Sequence, residues 1–325
     1  MTQEQEAKGT SAAPSHPADA QGKPAAPGHQ GKPRQHDKVT RMGTESIPRL
    51  ITEFAVPSIL GMLVNGAYNV IDSIFLGQAM GEIGLSTATV AMPIMTVFMA
   101  IAMLVGNGGN ALAALRMGEG KPEEAERSLG NTVTLSLIAS VVVAIVMFVP
   151  ACIDGLLSVS GATPEDWDYA MQFIRIISLG FIFQCIGMGV NNFIRTAGAP
   201  NRALGTMIIG AVACTVFNAL FVLVMGMGVV GSALATVCGQ AISCATVLWY
   251  FCLTKGVPMR LRLRMMPLHG ETVRLILSLG LASFAVQAGM AAVNFVLNNL
   301  LNMYGAQSPI GAEGALASIG VVQRV

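Results

Sequence analysis

The chain has 325 residues, of which 53% are hydrophobic and only 11% are charged, and its mean hydropathy is +0.61. A soluble domain usually carries about 25% charged residues, so this chain has too few polar side chains to cover a surface that faces water. The net charge of +1 gives no basic field of the kind that nucleic-acid binding uses. The composition therefore predicts a membrane protein without a nucleic-acid partner, whose outer surface contacts membrane lipid.

The first 45 residues differ from the rest of the chain. They are rich in Pro, Gly, Gln, Ala and Lys and show no apolar periodicity, so they cannot bury enough surface to offset the entropy of an ordered chain. A cleaved secretory signal needs an apolar stretch near its start, and the first such stretch here begins at Ile51. We expect residues 1–45 to form a disordered tail that is not cleaved.

Apolar segments long enough to span a bilayer follow one another from Ile51 onward. The segments lie near residues 51–76, 86–116, 129–151, 169–195, 203–225, 229–253 and 271–304. An eighth segment begins near residue 311 and reaches Val325 after about 15 residues, which is shorter than the roughly 20 that a spanning helix needs. We therefore expect an all-α, polytopic membrane protein and a chain that is a fragment of a longer one.

The positions of the basic residues predict the orientation in the membrane. If the tail is cytoplasmic, 17 of the 19 Lys and Arg residues fall on the cytoplasmic side or at its boundary, and such an excess marks the cytoplasmic side. The breaks on the opposite side carry acidic residues such as Glu82, Asp154 and Asp166. The sequence thus predicts a multi-pass protein of the cell membrane with a cytoplasmic N-terminus.

A weak internal repeat relates the first and seventh spans. Residues 67–71 (AYNVI) align with residues 292–296 (AVNFV) at an offset of 225. Six spans separate the two copies, so both cross the membrane in the same direction, as in transporters built from parallel repeats. We predict an N-lobe over 46–255 with transmembrane helices 1–6, a cytoplasmic inter-lobe linker over 256–270, and the start of a C-lobe over 271–325, with helix 7 and part of helix 8.

Asp72 is the outstanding candidate for chemistry, because an ionisable side chain inside a span is costly and marks a functional site by default. Asn65, Tyr68 and Asn69 precede it by seven, four and three residues, which places them on its face of a helix. Such a carboxylate can exchange a proton or bind Na+, depending on its neighbours. The alternative is an aspartate that is merely hydrated at the outer end of the helix.

Several amides inside the spans are candidates for lining a cavity, or else for hydrogen bonding between helices. Those we single out are Asn191, Asn218, Gln287 and Asn294. The six cysteines form no CxxC pair and all four His lie outside the spans, so the sequence predicts neither a resident metal nor a disulfide framework. It contains no HExxH, GxSxG or P-loop motif that would indicate an enzyme, and we expect no cofactor.

Five segments, taken in order, resemble the multidrug and toxic compound extrusion (MATE) family, in particular the branch with the MepA-like and DinF-like exporters. The resemblance covers the chain except for its tail. The segments are LVNGAYNVIDSIFLGQAMG in the first span, GNGGNALAALRMGEGKPEEAERSLGN after the second, NNFIRTAGAPNRA after the fourth, GVVGSALATVCGQ at the start of the sixth and ASFAVQAGMAAVNFVLNNLL in the seventh.

The resemblance implies two six-helix lobes around a central cavity, with export driven by Na+ or H+ entering the cell. Asp72 matches the acid of the family's first span, which is held to bind the coupling ion, and Thr236 matches a polar residue near that pocket. In the fifth span the family motif usually has Asn, Asp and Pro, where this chain has Cys214, Asn218 and Ala219. The resemblance therefore implies a site for one proton or one Na+ at Asp72.

The leading interpretation is a secondary active exporter of cationic or amphipathic small molecules, either drugs or toxic metabolites, in antiport with Na+ or H+. A flippase for a lipid-linked oligosaccharide, from the same superfamily, is the alternative within transport. Such a flippase would carry basic residues in its cavity. A third interpretation is a lone-lobe fragment that transports nothing.

Overall fold

The computed structural model describes residues 47–254, 257–305 and 314–319, and the predicted tail lies outside these ranges. The described residues form helices and connecting turns, with no strand among them, so the all-α prediction is confirmed. The helices are α1 (Ile47–Gly118), α2 (Pro122–Phe148), α3 (Pro150–Val159), α4 (Trp167–Thr196), α5 (Pro200–Asn218), α6 (Gly228–Leu253) and α7 (Gly270–Gly305).

The helix α1 contains both the first and the second predicted span. A single residue separates them: Gly81 has φ 63° and ψ −138°, a conformation that interrupts the helix. An L-residue with a side chain rarely adopts a positive φ, so glycine permits this sharp break. The sequence analysis placed a break over about ten residues here, and the structure replaces it with this one-residue kink.

Proline marks the beginning of three helices. Pro122, Pro150 and Pro200 occupy the first turns of α2, α3 and α5, where a missing N–H costs nothing and the fixed φ suits the helix. The sequence analysis did not predict α3, which has ten residues and is too short to span a bilayer. Its residues were assigned to the end of the third span and the break after it.

The core consists of two apolar clusters. One gathers residues near the Gly81 kink, α3 and the start of α4, with Leu76, Ile153 and Phe181 fully buried. The other lies where α1 meets α2 and where α4 meets α5, with Leu129 and Phe193 fully buried. Among the described residues, six helical segments are long and apolar enough to cross a membrane, counting the kinked α1 once. Large apolar side chains point outward, such as Val224 at 77% exposure, as expected where lipid is the solvent.

The turn before α4 is fixed to α1 by a buried carboxylate. Asp166 accepts hydrogen bonds from the Ser86 hydroxyl at 2.7 Å and from the Thr163 backbone N–H at 2.9 Å. Burial raises the pKa of Asp166, although these two donors oppose the rise. This interaction holds the end of the bundle that the orientation rule assigns to the outside.

The helix α7 packs along the second half of α1. A Cβ atom at Gly280 would overlap the backbone carbonyl oxygen of Leu104, and one at Gly108 would overlap that of Ile276. Small residues of this kind let membrane helices approach until their backbones touch. Farther along α7, the Asn298 amide donates to the Thr89 carbonyl at 3.0 Å.

The chain between α6 and α7 is bound to the N-terminal part of α2. The Glu126 carboxylate, which is 8% exposed, accepts from the Arg260 backbone N–H at 3.0 Å and pairs with the Arg262 guanidinium at 3.1 Å. Farther along α2, Asn131 accepts from the His269 N–H at 2.9 Å. The segment predicted as an inter-lobe linker is therefore attached to α2 over residues 260–269.

The close contact between α1 and α7 predicts the effect of one methyl group. Gly280→Ala would force the two backbones apart, and overpacking of this kind costs about 1–3 kcal/mol. Gly289→Ala is the matched control, because a Cβ at Gly289 has no atom within 4 Å. We expect thermal unfolding in detergent at a lower temperature for Gly280→Ala and at an unchanged or slightly higher one for Gly289→Ala. Equal melting temperatures for both variants would contradict the contact.

Candidate functional site

Asp72 lies where three helices meet. It belongs to the first half of α1, and its Oδ1 atom accepts two hydrogen bonds at 2.9 Å, one from the Asn218 amide Nδ2 and one from the Ser232 hydroxyl. Asn218 ends α5 and Ser232 lies in the second turn of α6. Both donors are 1% exposed, whereas Asp72 is half-buried. The carboxylate therefore joins α1 to α5 and α6 through buried charge-assisted hydrogen bonds.

A second polar group lies one helical turn away. Tyr68 lies beside Cys214 and Thr236, and each of these three residues lies four positions from a member of the first group. Four residues advance a helix by about 6 Å, so the site consists of two stacked layers. We call these six residues the Asp72 cluster: Tyr68, Asp72, Cys214, Asn218, Ser232 and Thr236.

The stacking follows from the direction of the three helices. One layer contains Asp72, Asn218 and Ser232, and the other contains Tyr68, Cys214 and Thr236. On α1 and α5 the residue of the first layer follows that of the second by four positions, whereas on α6 it precedes it by four. The helices α1 and α5 therefore run parallel to each other and antiparallel to α6. This is the arrangement that the predicted order of spans requires.

A close approach of α5 and α6 brings the layers together. A Cβ at Gly239 would lie only 2.6 Å from the Cβ of Cys214, so a larger residue would push the helices apart. Directly after Asn218, α5 continues as a π-helix over Ala219–Val224. There the Met225 N–H donates to the Leu220 carbonyl, five residues back, at 2.9 Å. π-Helical turns within α-helices frequently accompany functional sites.

One oxygen atom in the cluster lacks a donor. The Oδ1 atom of Asn218 is buried and makes no hydrogen bond with the described residues, although its Nδ2 atom donates to Asp72. A buried carbonyl oxygen without a partner is costly. It lies on the same amide that contacts the carboxylate, so a cation at Asp72 would find a second oxygen ligand beside it.

The other predicted site residues lie elsewhere. Asn65 is exposed, and the Asn69 amide donates to the Asn65 backbone carbonyl of its own helix. Asn191 is buried and donates to Thr206 and to the Ala203 carbonyl, which joins α4 to α5. Gln287 and Asn294 are half-buried on α7, and neither is hydrogen-bonded to the Asp72 cluster. The structure thus brings together Tyr68, Asp72, Asn218 and Thr236 of the predicted set.

Sequence reasoning missed the Ser232 hydroxyl and gave Cys214 no role of its own. A serine in an apolar helix usually bonds the backbone of its own helix, so nothing in the sequence distinguishes Ser232. Its position four residues before Thr236 is the signal that could have found it. Among the described residues, no group of three or more His, Cys, Asp or Glu side chains could hold a metal ion. Any cation at Asp72 would be bound by one carboxylate and neutral oxygens.

A second polar network connects α1, α4 and α7 away from the Asp72 cluster. The Asn107 amide donates to the Ser283 hydroxyl at 3.1 Å and accepts from the Asn192 amide at 2.9 Å. The Arg195 guanidinium donates to the Asn192 oxygen at 3.3 Å. Sequence reasoning did not predict this network, because its members lie on three different helices at unrelated spacings.

Comparison with known proteins gives consistent matches. The family model MatE matches residues 57–220, which is about half of the chain. Among curated relatives, the multidrug export protein MepA of Staphylococcus haemolyticus is 22% identical over 280 residues, which cover 86% of this chain and 60% of MepA. The probable multidrug resistance protein YpnP of Bacillus subtilis is 25% identical, over 84% of this chain and 58% of YpnP. The chain thus spans about 60% of the length of these relatives.

The fold also matches solved structures. The MATE multidrug transporter DinF-BH, solved in complex with a small molecule, superposes with a TM-score of 0.80 and 32% identity, over 87% of this chain and 61% of that one. An inward-facing multidrug resistance MATE transporter of the MOP superfamily superposes with a TM-score of 0.72 and 26% identity, over 79% and 56%. The family match and the shared helical fold lead to one conclusion: this chain belongs to the MATE family of multidrug transporters.

Proposed function

We propose that this protein takes part in the export of small molecules by antiport with Na+ or H+, and that Asp72 binds the coupling ion. The single observation that supports this proposal best is the arrangement of oxygens at Asp72. A carboxylate inside a membrane span contacts a buried amide whose own oxygen lacks a donor. An ionisable group in such a place is a functional site by default.

The same atoms suit either coupling ion. Na+ would take oxygen ligands, which the Asp72 carboxylate, the Asn218 carbonyl and the Ser232 hydroxyl can supply. A proton would bind the carboxylate and give it one O–H donor, while its other oxygen remains an acceptor. Either ion removes the negative charge that makes the hydrogen bonds from Asn218 and Ser232 strong.

Loss of that charge gives the site a way to act on the fold. The two bonds hold the first half of α1 against α5 and α6. A proton at Asp72 would weaken these bonds, whereas Na+ would replace them with its own contacts to the three helices. Conversely, release of the ion would restore the charged bonds. We propose that this exchange changes how α1 packs, and that the change couples ion entry to substrate release.

The substrate class is proposed from the relatives. MepA is a multidrug export protein and DinF-BH was solved with a small molecule bound, and we extend small-molecule export to this chain, with cationic and amphipathic compounds as its substrates. We also propose the cell membrane as its location, with the N-terminus in the cytoplasm. The support is the asymmetry of charge, since 17 of the 19 basic residues lie on the side of the tail.

One observation favours the flippase alternative. Arg195, in the last turn of α4, is half-buried and contacts the Asn192 amide and the Met207 sulfur. Within the described ranges no carboxylate pairs with it. A guanidinium in such a setting binds phosphate well, and a lipid-linked oligosaccharide carries phosphate. Cationic and anionic substrates should therefore be tested side by side.

The proposed coupling predicts the effect of Asp72→Asn. Two forms of the protein would be placed in separate vesicles: one whose second lobe is complete, and the 325-residue chain. Na+ and H+ gradients would then be imposed separately on each. A membrane potential supplies about 2.3 kcal/mol per charge per 100 mV. Without the Asp72 carboxylate the coupling ion has no binding site, so this free energy cannot drive export. We expect gradient-driven ethidium efflux to fall to the passive leak.

The exposed carboxylate Asp168 provides the control, since Asp168→Asn removes an equal charge outside the Asp72 cluster and should leave efflux unchanged. Gradient-driven efflux that persists in Asp72→Asn would refute the proposed coupling. Efflux of a fluorescent lipid-linked phosphate in preference to ethidium would support the flippase instead.

A second prediction concerns Asn218. Asn218→Asp would place a second carboxylate beside Asp72, and two adjacent carboxylates repel each other unless a cation lies between them. We expect Na+, compared with choline at equal ionic strength and neutral pH, to raise the melting temperature more in this variant than in the unmodified chain. Asn65→Asp adds the same charge at an exposed position of α1 and should show no such gain. Equal Na+ responses in the two variants would count against a cation site at Asp72.

A further inference from the structure

The linker between α6 and α7 forms a basic cavity with the N-terminal end of α2, separate from the Asp72 cluster. The cavity has a volume of about 620 Å³. Its lining combines arginines with apolar side chains: Glu123, Arg127, Arg262, Arg264, Met265, Pro267, Leu268 and His269. Three of these residues are arginines and one is an acid, so the cavity carries an excess of positive charge.

The positive charge is only partly neutralised. The Arg262 guanidinium pairs with Glu126 at 3.1 Å. In the part of the chain that the structure describes, Arg127 and Arg264 pair with no carboxylate. A smaller cavity nearby, of about 320 Å³, shares Arg127 and His269 with this one. There Arg116 and Lys121 are paired with Glu119 and Glu124 at 2.8 to 3.8 Å. Arg127 therefore lines both cavities, whereas Arg264 lines only the larger one.

We place the cavity near a membrane interface from its position at the end of α2. It is bordered by the first two turns of α2, a helix that is long and apolar enough to cross the membrane. These turns carry three acidic residues, at 123, 124 and 126, and the basic Arg127 before the apolar part begins. On the linker side, Leu268 is 47% exposed beside the arginines. Basic side chains together with an exposed apolar one suit an amphiphilic ligand better than a soluble one.

We propose that this cavity binds the headgroup of an anionic phospholipid, with the phosphate between Arg127 and Arg264 and the acyl chains beside Leu268. Arginine binds phosphate through paired N–H donors, and basic pockets between membrane helices on the cytoplasmic side bind anionic headgroups. This is the side that the charge asymmetry predicts to be cytoplasmic.

The ligand would also bridge two parts of the structure. Arg127 belongs to α2 and Arg264 to the linker, which Glu126 and Asn131 already attach to α2. A bound phosphate would add a third connection, so the lipid would stabilise the attached linker. This inference is independent of the proposed coupling at Asp72, since the two sites share no residue.

The test is lipid binding to the purified, delipidated 325-residue chain, measured by native mass spectrometry. The probes are phosphatidylglycerol, phosphatidylethanolamine and soluble glycerol phosphate. Each basic residue near an anionic headgroup contributes about 1 kcal/mol, which is about a fivefold change in affinity. We expect Arg127→Gln with Arg264→Gln to weaken phosphatidylglycerol binding by about 25-fold and to weaken the binding of phosphatidylethanolamine, whose amine offsets its phosphate charge, by less.

Arg274→Gln is the matched control, because this exposed arginine lies on α7 outside both cavities. It should leave lipid binding unchanged. Arg264→Gln alone serves if the double variant does not fold, and Arg264→Lys should retain part of the affinity. The proposal is overturned if Arg274→Gln weakens binding as much as the double variant does. It is also overturned if glycerol phosphate binds as tightly as the whole lipid.

Discussion

The hydrogen bonds that converge on Asp72 constrain the whole helical bundle. A carboxylate in a membrane span is stable only when donors or a cation compensate for its lost hydration. Here the donors come from the ends of two other helices, at 2.9 Å each. The first half of α1 therefore cannot shift relative to α5 and α6 without breaking a charged bond. The electrostatics of one residue thus determine how three helices pack.

The remaining architecture makes this convergence possible. The Gly81 kink turns α1 back on itself, so that its second half can pack against α7 while its first half reaches Asn218. Gly239 allows α6 to approach α5 until the two layers of the Asp72 cluster align. The rigid contacts lie along the second half of α1, where Gly108 and Gly280 bring backbones together. The first half of α1 is held by the polar bonds at Asp72 and by apolar packing at Leu76, and an ion can change the polar bonds.

The sequence predicted the all-α fold, the long spans and the central residue of the site, because each leaves a local signal. Asp72 is conspicuous as a charge in an apolar run, and Tyr68 follows from the spacing of four. Asn65 and Asn69, at spacings of seven and three, lie on the same face of the helix, yet one is exposed and the other bonds its own helix. Which part of a polar stripe meets a partner depends on where the neighbouring helices lie, and periodicity alone does not contain that information. For the same reason Ser232 and the Asn107 network were found only in three dimensions.

We propose that Asp72 binds one cation and that this cation is exchanged for the transported substrate. The most direct test counts the Na+ ions or protons released when substrate binds to the protein with a complete second lobe in detergent. Calorimetry in buffers of different ionisation enthalpy counts the protons, and a Na+ electrode counts the Na+ ions. The account predicts one cation released per substrate, and none in Asp72→Asn. Release that persists in Asp72→Asn, or substrate binding without any release in the unmodified protein, would contradict it.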